Sequence, residues 1–318
     1  MSKDYLHKET KMTYLFIAIF LSSIIPVIFK ITEDKNLNRY GVTLFNYLAA
    51  VIISFFMSRT QNLFSYLNEE SLNEFISEIP VVLFNNQSTF SKGSSAIWAV
   101  VVGLTLGIMF CLAFVQYQKS IKTNGISLSN TFLKLSVLVP MIISLGLWQE
   151  YPTTFQWLGI ILSFLAIIIS NISFKKNSLK DIRLNLILLL VYGGFAEFST
   201  KLFQKYALIE FRNLLLLSIF TSALITSLIV VIVSKKSFGK NELLAGILVG
   251  IPNLFTSYFM VLAFSQLNTS TAVLLNSSGT IVLVLIYGKF FFKEKLMKKE
   301  KIAIALTIIA MIAINYSP

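Results

Sequence analysis

The chain has 318 residues, of which 55% are hydrophobic and only 13% are charged. Soluble domains carry about 25% charged residues, so a chain this apolar could not cover a water-facing surface, and the composition predicts a polytopic membrane protein. The net charge of +12 would suggest nucleic acid as a partner of a soluble protein. Here the basic residues cluster between apolar runs, which is typical of membrane loops and argues against nucleic acid.

Ten apolar runs reach the roughly 17–25 residues that a membrane-spanning helix needs. In chain order they lie near 12–30, 40–58, 96–118, 126–148, 155–173, 185–205, 211–233, 242–264, 271–289 and 301–316. The fourth and fifth runs are separated at Glu150–Thr154, where Pro152 disfavours helix at the preceding residue. The sequence therefore predicts an all-α polytopic membrane protein with ten transmembrane helices.

Most connections between these runs are short, and the exception is the segment 59–95. It spaces Glu69, Glu70, Glu74 and Glu78 among apolar residues such as Leu72 and Ile76. This pattern fits a short amphipathic helix on the membrane surface, and a disordered loop fits it equally well. In either case we expect an extra-membrane insertion.

The two halves of the sequence resemble each other. At an offset of 144 residues, 158–166 matches 302–310, and Glu150, Asn124 and Asn171 match Glu294, Asn268 and Asn315. At an offset of 171, Lys30 matches Lys201, and the 59–95 insertion explains the difference between the offsets. The sequence thus predicts one five-helix repeat over 11–173 and a second over 185–316. Because five is odd, the second copy would be inverted, as in many secondary transporters.

The same positions resemble the drug/metabolite transporter superfamily in its ten-helix, EamA-type branch. The run from Pro140 through Glu150 to Asn171 looks like the end of a fourth helix, its loop and an apolar fifth helix; Gly288 through Glu294 to Asn315 looks like the second copy. Ser22-Ser23 before Lys30, and Gly193-Gly194 before Lys201, resemble the first helix of each repeat. The resemblance implies a solute pocket lined by spans 1–4 and 6–9, and no ATP site.

The distribution of basic residues predicts the orientation. The N-terminal tail and the connections after spans 2, 4, 6 and 8 carry about seven Lys and Arg residues, against about sixteen on the other side. The richer side faces the cytoplasm by the positive-inside rule. We therefore expect a multi-pass protein of the cytoplasmic membrane with both termini outside.

Glu197 lies about twelve residues into span 6, or roughly 18 Å deep at 1.5 Å per residue. A carboxylate at that depth can hold a proton and release it when water enters, which would couple transport to protons. Lys201 follows four residues later on the same helix face, so the two side chains could instead neutralise each other. Both residues are candidate coupling residues, and Glu197 is also a candidate substrate contact.

Lys134 lies about eight residues into span 4, one turn after Asn130. This polar stripe must face protein or a water-filled cavity rather than lipid. We expect Lys134 and Asn130 to contact an anionic group of the substrate. The alternatives are a structural pair with Glu197 and a lysine that extends to the interface.

Uncharged polar residues complete the candidate site. Asn276 and Ser277 in span 9, and Asn46 in span 2, could hydrogen-bond a substrate or hold helices together. His7 is the only histidine and Cys111 the only cysteine, which argues against a His/Cys zinc site or a disulfide and leaves no cofactor to predict.

The function that these features predict is secondary active transport of a small polar organic solute, such as an amino acid-like metabolite, by alternating access. Export of organic cations or amines and a non-transporting membrane scaffold are the alternatives. An intramembrane enzyme is disfavoured, because no Asp lies in any span and His7 lies in the tail. The expected partners are the lipid bilayer and the small-molecule solute, and transport could be coupled to protons. The protein is expected to be a monomer or a homodimer.

Overall fold

The computed structural model describes residues 2–84, 89–124, 132–133, 135–136, 138–149, 151–171, 184–235, 237–267, 269–291 and 298–315. These residues form eleven α-helices and, within the described part, no β-strand. The helices are α1 (Ser2–Asp34), α2 (Arg39–Thr60), α3 (Glu69–Ile79), α4 (Lys92–Asn124), α5 (Leu138–Trp148), α6 (Thr154–Asn171), α7 (Leu184–Tyr206), α8 (Arg212–Ser234), α9 (Lys240–Phe264), α10 (Thr269–Phe291) and α11 (Lys298–Asn315). The all-α prediction is confirmed for this part of the chain.

Six of the described helices are long and apolar enough to cross a membrane. The segments are Met12–Phe29, Arg39–Thr60, Lys92–Tyr117, Leu184–Tyr206, Ile209–Ser234 and Lys240–Phe264. Shorter apolar stretches lie in α5, α6 and α10, at Leu138–Trp148, Trp157–Ala166 and Ala272–Val284. In hydrocarbon the backbone must satisfy its own hydrogen bonds, which is why such runs become helices. The chain is a helical membrane protein, and the count of ten spans stays a prediction.

The chain forms two compact units, and the first comprises Met1–Val27, Leu112–Glu197 and Gln266–Pro318. Within it α6 packs along α11, and α10 packs on α5, α6 and α11. The first half of α7 approaches residues 136–139 closely, because a Cβ at Gly193 would lie 3.0 Å from Ser136 Oγ. Gln116 of α4 donates from Nε2 to both the backbone oxygen and Oδ1 of Asn185, each at 3.0 Å, and so joins α4 to the start of α7.

The second unit comprises Ile28–Cys111 and Phe198–Ser265, and α2 lies at its centre against α8 and α9. Close contact depends on glycine: a Cβ at Gly250 of α9 would lie 2.5 Å from the backbone oxygen of Asn46. The first half of α4 meets α8 in the same way, since a Cβ at Gly107 would lie 2.6 Å from the backbone oxygen of Ile219. Small residues of this kind let helices pack tightly where lipid supplies no hydrophobic driving force.

Each unit draws residues from both halves of the sequence, so the compact units do not coincide with the predicted repeats 11–173 and 185–316. Two repeats share a sequence pattern and an order of helices, and they need not each form a separate compact unit. The two inverted five-helix repeats therefore stay a prediction.

Two connections in the second unit are fastened by specific hydrogen bonds. Glu242, in the first turn of α9, accepts from the backbone N–H of Asn38 at 3.0 Å and of Gly239 at 2.9 Å. Asn38 caps α2 by accepting from the backbone N–H of Tyr40, and its own Nδ2 donates to the backbone oxygen of Ser237. The turn before α2 is thus tied to the turn before α9.

The described part of the 59–95 connection is folded. Of the two alternatives for this segment, an amphipathic helix and a disordered loop, residues 69–79 form the helix, α3. Asn68 caps α3, because its Oδ1 accepts from the backbone N–H of Ser71 at 2.8 Å. The end of the connection is fastened to the segment after α7: the backbone N–H of Phe90 donates to the oxygen of Tyr206 at 2.8 Å, and the N–H of Leu208 donates to Ser95 Oγ at 3.1 Å.

Candidate functional site

A polar stripe runs along one face of α7. Steps of four residues place Gly193, Glu197 and Lys201 close together around the helix axis, and Gln204 falls in the same sector. Glu197 is half-buried, whereas only 3% of the Lys201 surface is exposed. Lys201 Nζ donates to Gln204 Oε1 at 3.1 Å. The stripe holds a buried cation and a carboxylate within an apolar helix that is long enough to cross a membrane.

Gln204 is a neighbour of Lys201 that the sequence analysis missed. The available indication was spacing, since residues three apart on a helix lie side by side and Gln204 is three residues after Lys201. Gln204 is thus one acceptor of the buried Lys201 ammonium, and the predicted pairing of Lys201 with Glu197 stays a prediction.

Asn276 and Ser277 lie in a buried polar patch on α10, within the first unit. Each has 8% of its surface exposed, and the neighbouring Ser278 and Thr280 are also buried. The hydroxyl of Thr280 is hydrogen-bonded to that of Ser22 on α1, so α1 borders this patch. Among the described residues, Asn276 Oδ1 has no hydrogen-bond partner although it is buried. A buried acceptor without a partner is costly, which makes Asn276 a candidate ligand contact.

Asn46 lies in the second unit, where α2 packs on α9. Its side chain is 1% exposed, and Asn253 Nδ2 donates to Asn46 Oδ1 at 3.1 Å. Within the described part of the chain, Asn46 Nδ2 and Thr256 Oγ1, one turn after Asn253, are buried without hydrogen-bond partners. The pair therefore joins two helices, as the structural alternative for Asn46 predicts. It also leaves both N–H donors of Asn46 Nδ2 unused among the described residues.

Arg212, at the start of α8, is a second feature that the sequence analysis did not single out. Its Nη2 donates to the hydroxyl of Tyr258 on α9 at 2.7 Å, and its Nη1 donates to the backbone oxygen of Ile209 at 3.1 Å. The guanidinium carbon lies 4.8 Å from the centre of the Tyr258 ring. The sequence shows that Arg212 lies at the end of a predicted span, but it does not show that Tyr258, 46 residues later, is its partner.

Lys134 and Asn130 lie outside the described residues, so their predicted roles stay predictions. The structure places Asn276 and Ser277 in the first unit and Asn46 in the second, each in its own buried setting. Glu197 and Lys201 lie on α7, in the first and second unit respectively. In the described part of the chain, no three His, Cys, Asp or Glu side chains are arranged to hold a metal ion.

Comparison with known proteins shows a similar fold in a solved structure but identifies no activity. No family model matches the chain. A protein of Haemophilus influenzae named only "Uncharacterized protein" is 23% identical over 310 residues, which cover 96% of this chain and 98% of the relative. A solved structure described as "Crystal structure of protein" is 12% identical, covers 96% of both chains and superposes with a TM-score of 0.65. The arrangement of helices is therefore similar to that of a protein already seen in a crystal.

Proposed function

We propose that the chain is a secondary active transporter that moves a small polar organic solute across the cytoplasmic membrane by alternating access. The observation that carries this proposal is the polar stripe of α7. An ionisable residue at the centre of a membrane helix costs about 2.5–3.5 kcal/mol on insertion scales and tends to mark a solute or ion pathway. Glu197, half-buried near the middle of α7, is such a residue, and Lys201, which is 3% exposed, follows one turn later toward the helix end.

The proposal includes ten spans in two inverted five-helix repeats, as in the drug/metabolite transporter superfamily. The sequence match supports the repeat. At an offset of 144 residues it pairs 158–166, which lies in α6, with 302–310, which lies in α11. The two helices also pack together in the first unit, as pseudo-equivalent ends of two repeats could do.

Within this mechanism we assign Lys134 and Asn130 to an anionic group of the solute, and Asn276, Ser277 and Asn46 to its neutral polar groups. Glu197 would bind and release the coupling proton. A scaffold without transport would have no need of a carboxylate such as Glu197 within an apolar helix. Transport of organic cations is the alternative that Glu197 would favour if it contacts the solute directly.

A thermal-shift screen of the purified protein against amino acids, amines, sugars and organic acids tests the substrate class. A ligand that binds only the folded state raises the melting temperature by mass action. At a ligand concentration one hundred times Kd, it adds about 2.7 kcal/mol to the free energy of unfolding. We expect a zwitterionic or anionic compound to stabilise the protein and Lys134→Ala to remove the effect. Amines that lose their effect in Glu197→Gln, but not in Lys134→Ala, would support the cationic alternative.

The proposed orientation, with both termini and the 59–95 connection outside, has a separate test. Ser77 on α3 and Lys240 at the start of α9 are exposed. In intact cells a membrane-impermeant maleimide should label Ser77→Cys, whereas Lys240→Cys should react only after lysis. The reverse pattern would invert the assigned topology.

A further inference from the structure

The amphipathic helix α3 presents an apolar flank that no described part of the chain covers. Leu72 and Ile76, one turn apart, are 45% and 58% exposed, whereas Phe75 between them is 7% exposed. We propose that α3 is an interfacial helix that inserts Leu72 and Ile76 into the lipid leaflet beside the membrane-spanning helices, and that it favours zwitterionic over anionic headgroups. This proposal does not depend on transport.

The contacts that α3 makes with the rest of the chain show which way the Leu72–Ile76 flank faces. The ring of Phe75 packs on Phe90 and Trp98, with ring centres 5.2 and 6.2 Å apart. Glu78 Oε2 accepts from the backbone N–H of Ser91 at 3.0 Å. On a helical projection Leu72 and Ile76 lie about 60–100° to one side of Phe75, and Glu78 lies on the other side. The Leu72–Ile76 flank therefore points sideways, away from the chain that holds α3.

The contact between Phe75 and Trp98 sets the level of α3. Trp98 lies six residues, or about 9 Å along the axis, after Lys92 at the start of α4. The helix α4 is apolar enough to cross a membrane. Because α3 packs beside the first turns of such a helix, the proposal places α3 at interface depth.

The charges on α3 indicate the kind of leaflet that it fits. Glu70 and Glu74 are exposed on its polar side, and Glu69 is exposed in the first turn, at the N-terminal end of the Leu72–Ile76 flank. Basic residues near a surface gain about 1 kcal/mol each from anionic lipids, and carboxylates are repelled by the same potential. A zwitterionic surface avoids that repulsion.

A second copy of the chain fits the flank less well than lipid does. Stable protein interfaces bury about 1,200–2,000 Å² in total. Two exposed aliphatic side chains on one helix supply only a small part of such an area. Lipid needs no matching surface, and buried apolar area alone drives interfacial binding.

Site-directed spin labelling of the full chain in phosphatidylcholine vesicles tests the proposal. Cys111 is the single cysteine and is buried, so Cys111→Ala gives a cysteine-free background. Nitroxides are placed in this background by Ile76→Cys and, independently, Leu72→Cys. Ser77→Cys is the matched control on the exposed polar side of α3, and Leu248→Cys, 58% exposed on α9, is the lipid-facing reference. Collision with oxygen reports lipid, and collision with neutral nickel-EDDA reports water.

We expect the oxygen-to-nickel accessibility ratio at Ile76→Cys and Leu72→Cys to be severalfold higher than at Ser77→Cys and to approach that at Leu248→Cys. A ratio equal to that of Ser77→Cys would overturn the insertion. Protection from both reagents together with dipolar broadening would show a second copy on this flank and would also overturn it.

Vesicles in which half of the lipid is phosphatidylglycerol test the headgroup preference. We expect nickel accessibility at Ile76→Cys to rise in these vesicles, and Glu69→Gln, Glu70→Gln and Glu74→Gln combined to suppress the rise. Equal accessibility in both lipid compositions would overturn the preference for zwitterionic headgroups.

Discussion

At the scale of single residues, Lys201 and Glu197 share a helix face but lie in different environments. Lys201 is buried and donates to the neutral Gln204, whereas Glu197 is half-buried. A half-buried carboxylate can exchange protons with water more readily than a buried group can. This difference supports the proposed proton-coupling role of Glu197.

Replacing Glu197 with Gln should leave solute binding measurable but remove the dependence of transport on pH, because an amide cannot take up the proton. Initial rates in proteoliposomes between pH 5 and 8 measure this. Glu210→Gln is the control, because Glu210 is 48% exposed and pairs with Lys92 across 3.8 Å at the surface. A pH profile of Glu197→Gln that matches the unsubstituted protein would remove Glu197 from the coupling step.

Asn46 gives a prediction in which stability and ligand binding change in opposite directions. Its Nδ2 is buried and, among the described residues, without a hydrogen-bond partner, and such a group costs about 1–3 kcal/mol. Asn46→Leu combined with Asn253→Leu replaces the pair with apolar groups, so the melting temperature of the ligand-free protein should stay equal or rise. If Asn46 contacts the solute, ligand-induced stabilisation should disappear in the same variant. Retained ligand stabilisation would leave the pair a purely structural role.

At the scale of elements, glycines set how closely the helices approach. Gly107 of α4 faces the backbone of α8, whereas a Cβ at Gly146 of α5 would meet no atom within 4 Å. Gly107→Ala should therefore lower the melting temperature by forcing α4 and α8 apart. Gly146→Ala should leave it equal or raise it, because alanine is favoured over glycine in helices by about 0.5–1 kcal/mol. Thermal unfolding of both variants in one detergent measures the contrast, and equal shifts would contradict the assigned packing.

Much of the element order could be predicted from the sequence, because an apolar run of membrane length must become a helix in hydrocarbon. The runs at 40–58 and 242–264 correspond to α2 and α9, each with its cap a few residues earlier. The pairing of elements could not be predicted in this way. Gly107 against Ile219, or Arg212 against Tyr258, depends on the rotation of each helix about its axis, and an all-round apolar helix does not reveal that rotation.

The candidate site was predictable to a similar degree. Charged and amide residues within apolar runs stand out in the sequence, so Glu197, Lys201, Asn46 and Asn276 could be singled out. Their partners differ in this respect: the spacing of three residues could have identified Gln204 beside Lys201, whereas Asn253 is 207 residues from Asn46 and could not be identified. Composition identifies which residues are costly to bury, and only the fold shows what they contact.

At the scale of the whole molecule, the compact units and the sequence halves divide the chain differently. Three of the four borders between the units fall inside α1, α4 and α7, and the fourth lies between α9 and α10. The sequence match at an offset of 144 residues nevertheless pairs part of α6 with part of α11. The proposed inverted repeats and the compact units are therefore separate properties of one chain.

Counterflow in proteoliposomes tests the central claim of carrier-mediated transport most directly. Vesicles containing the purified chain are loaded with an excess of the solute that gives the largest thermal shift, and trace labelled solute is added outside. A carrier that alternates access must accumulate the label transiently above its external concentration, with a rate that saturates. Entry that never exceeds equilibrium and rises linearly with concentration would show a channel, and no entry above empty vesicles would show that the chain does not transport that solute; either result would contradict the account.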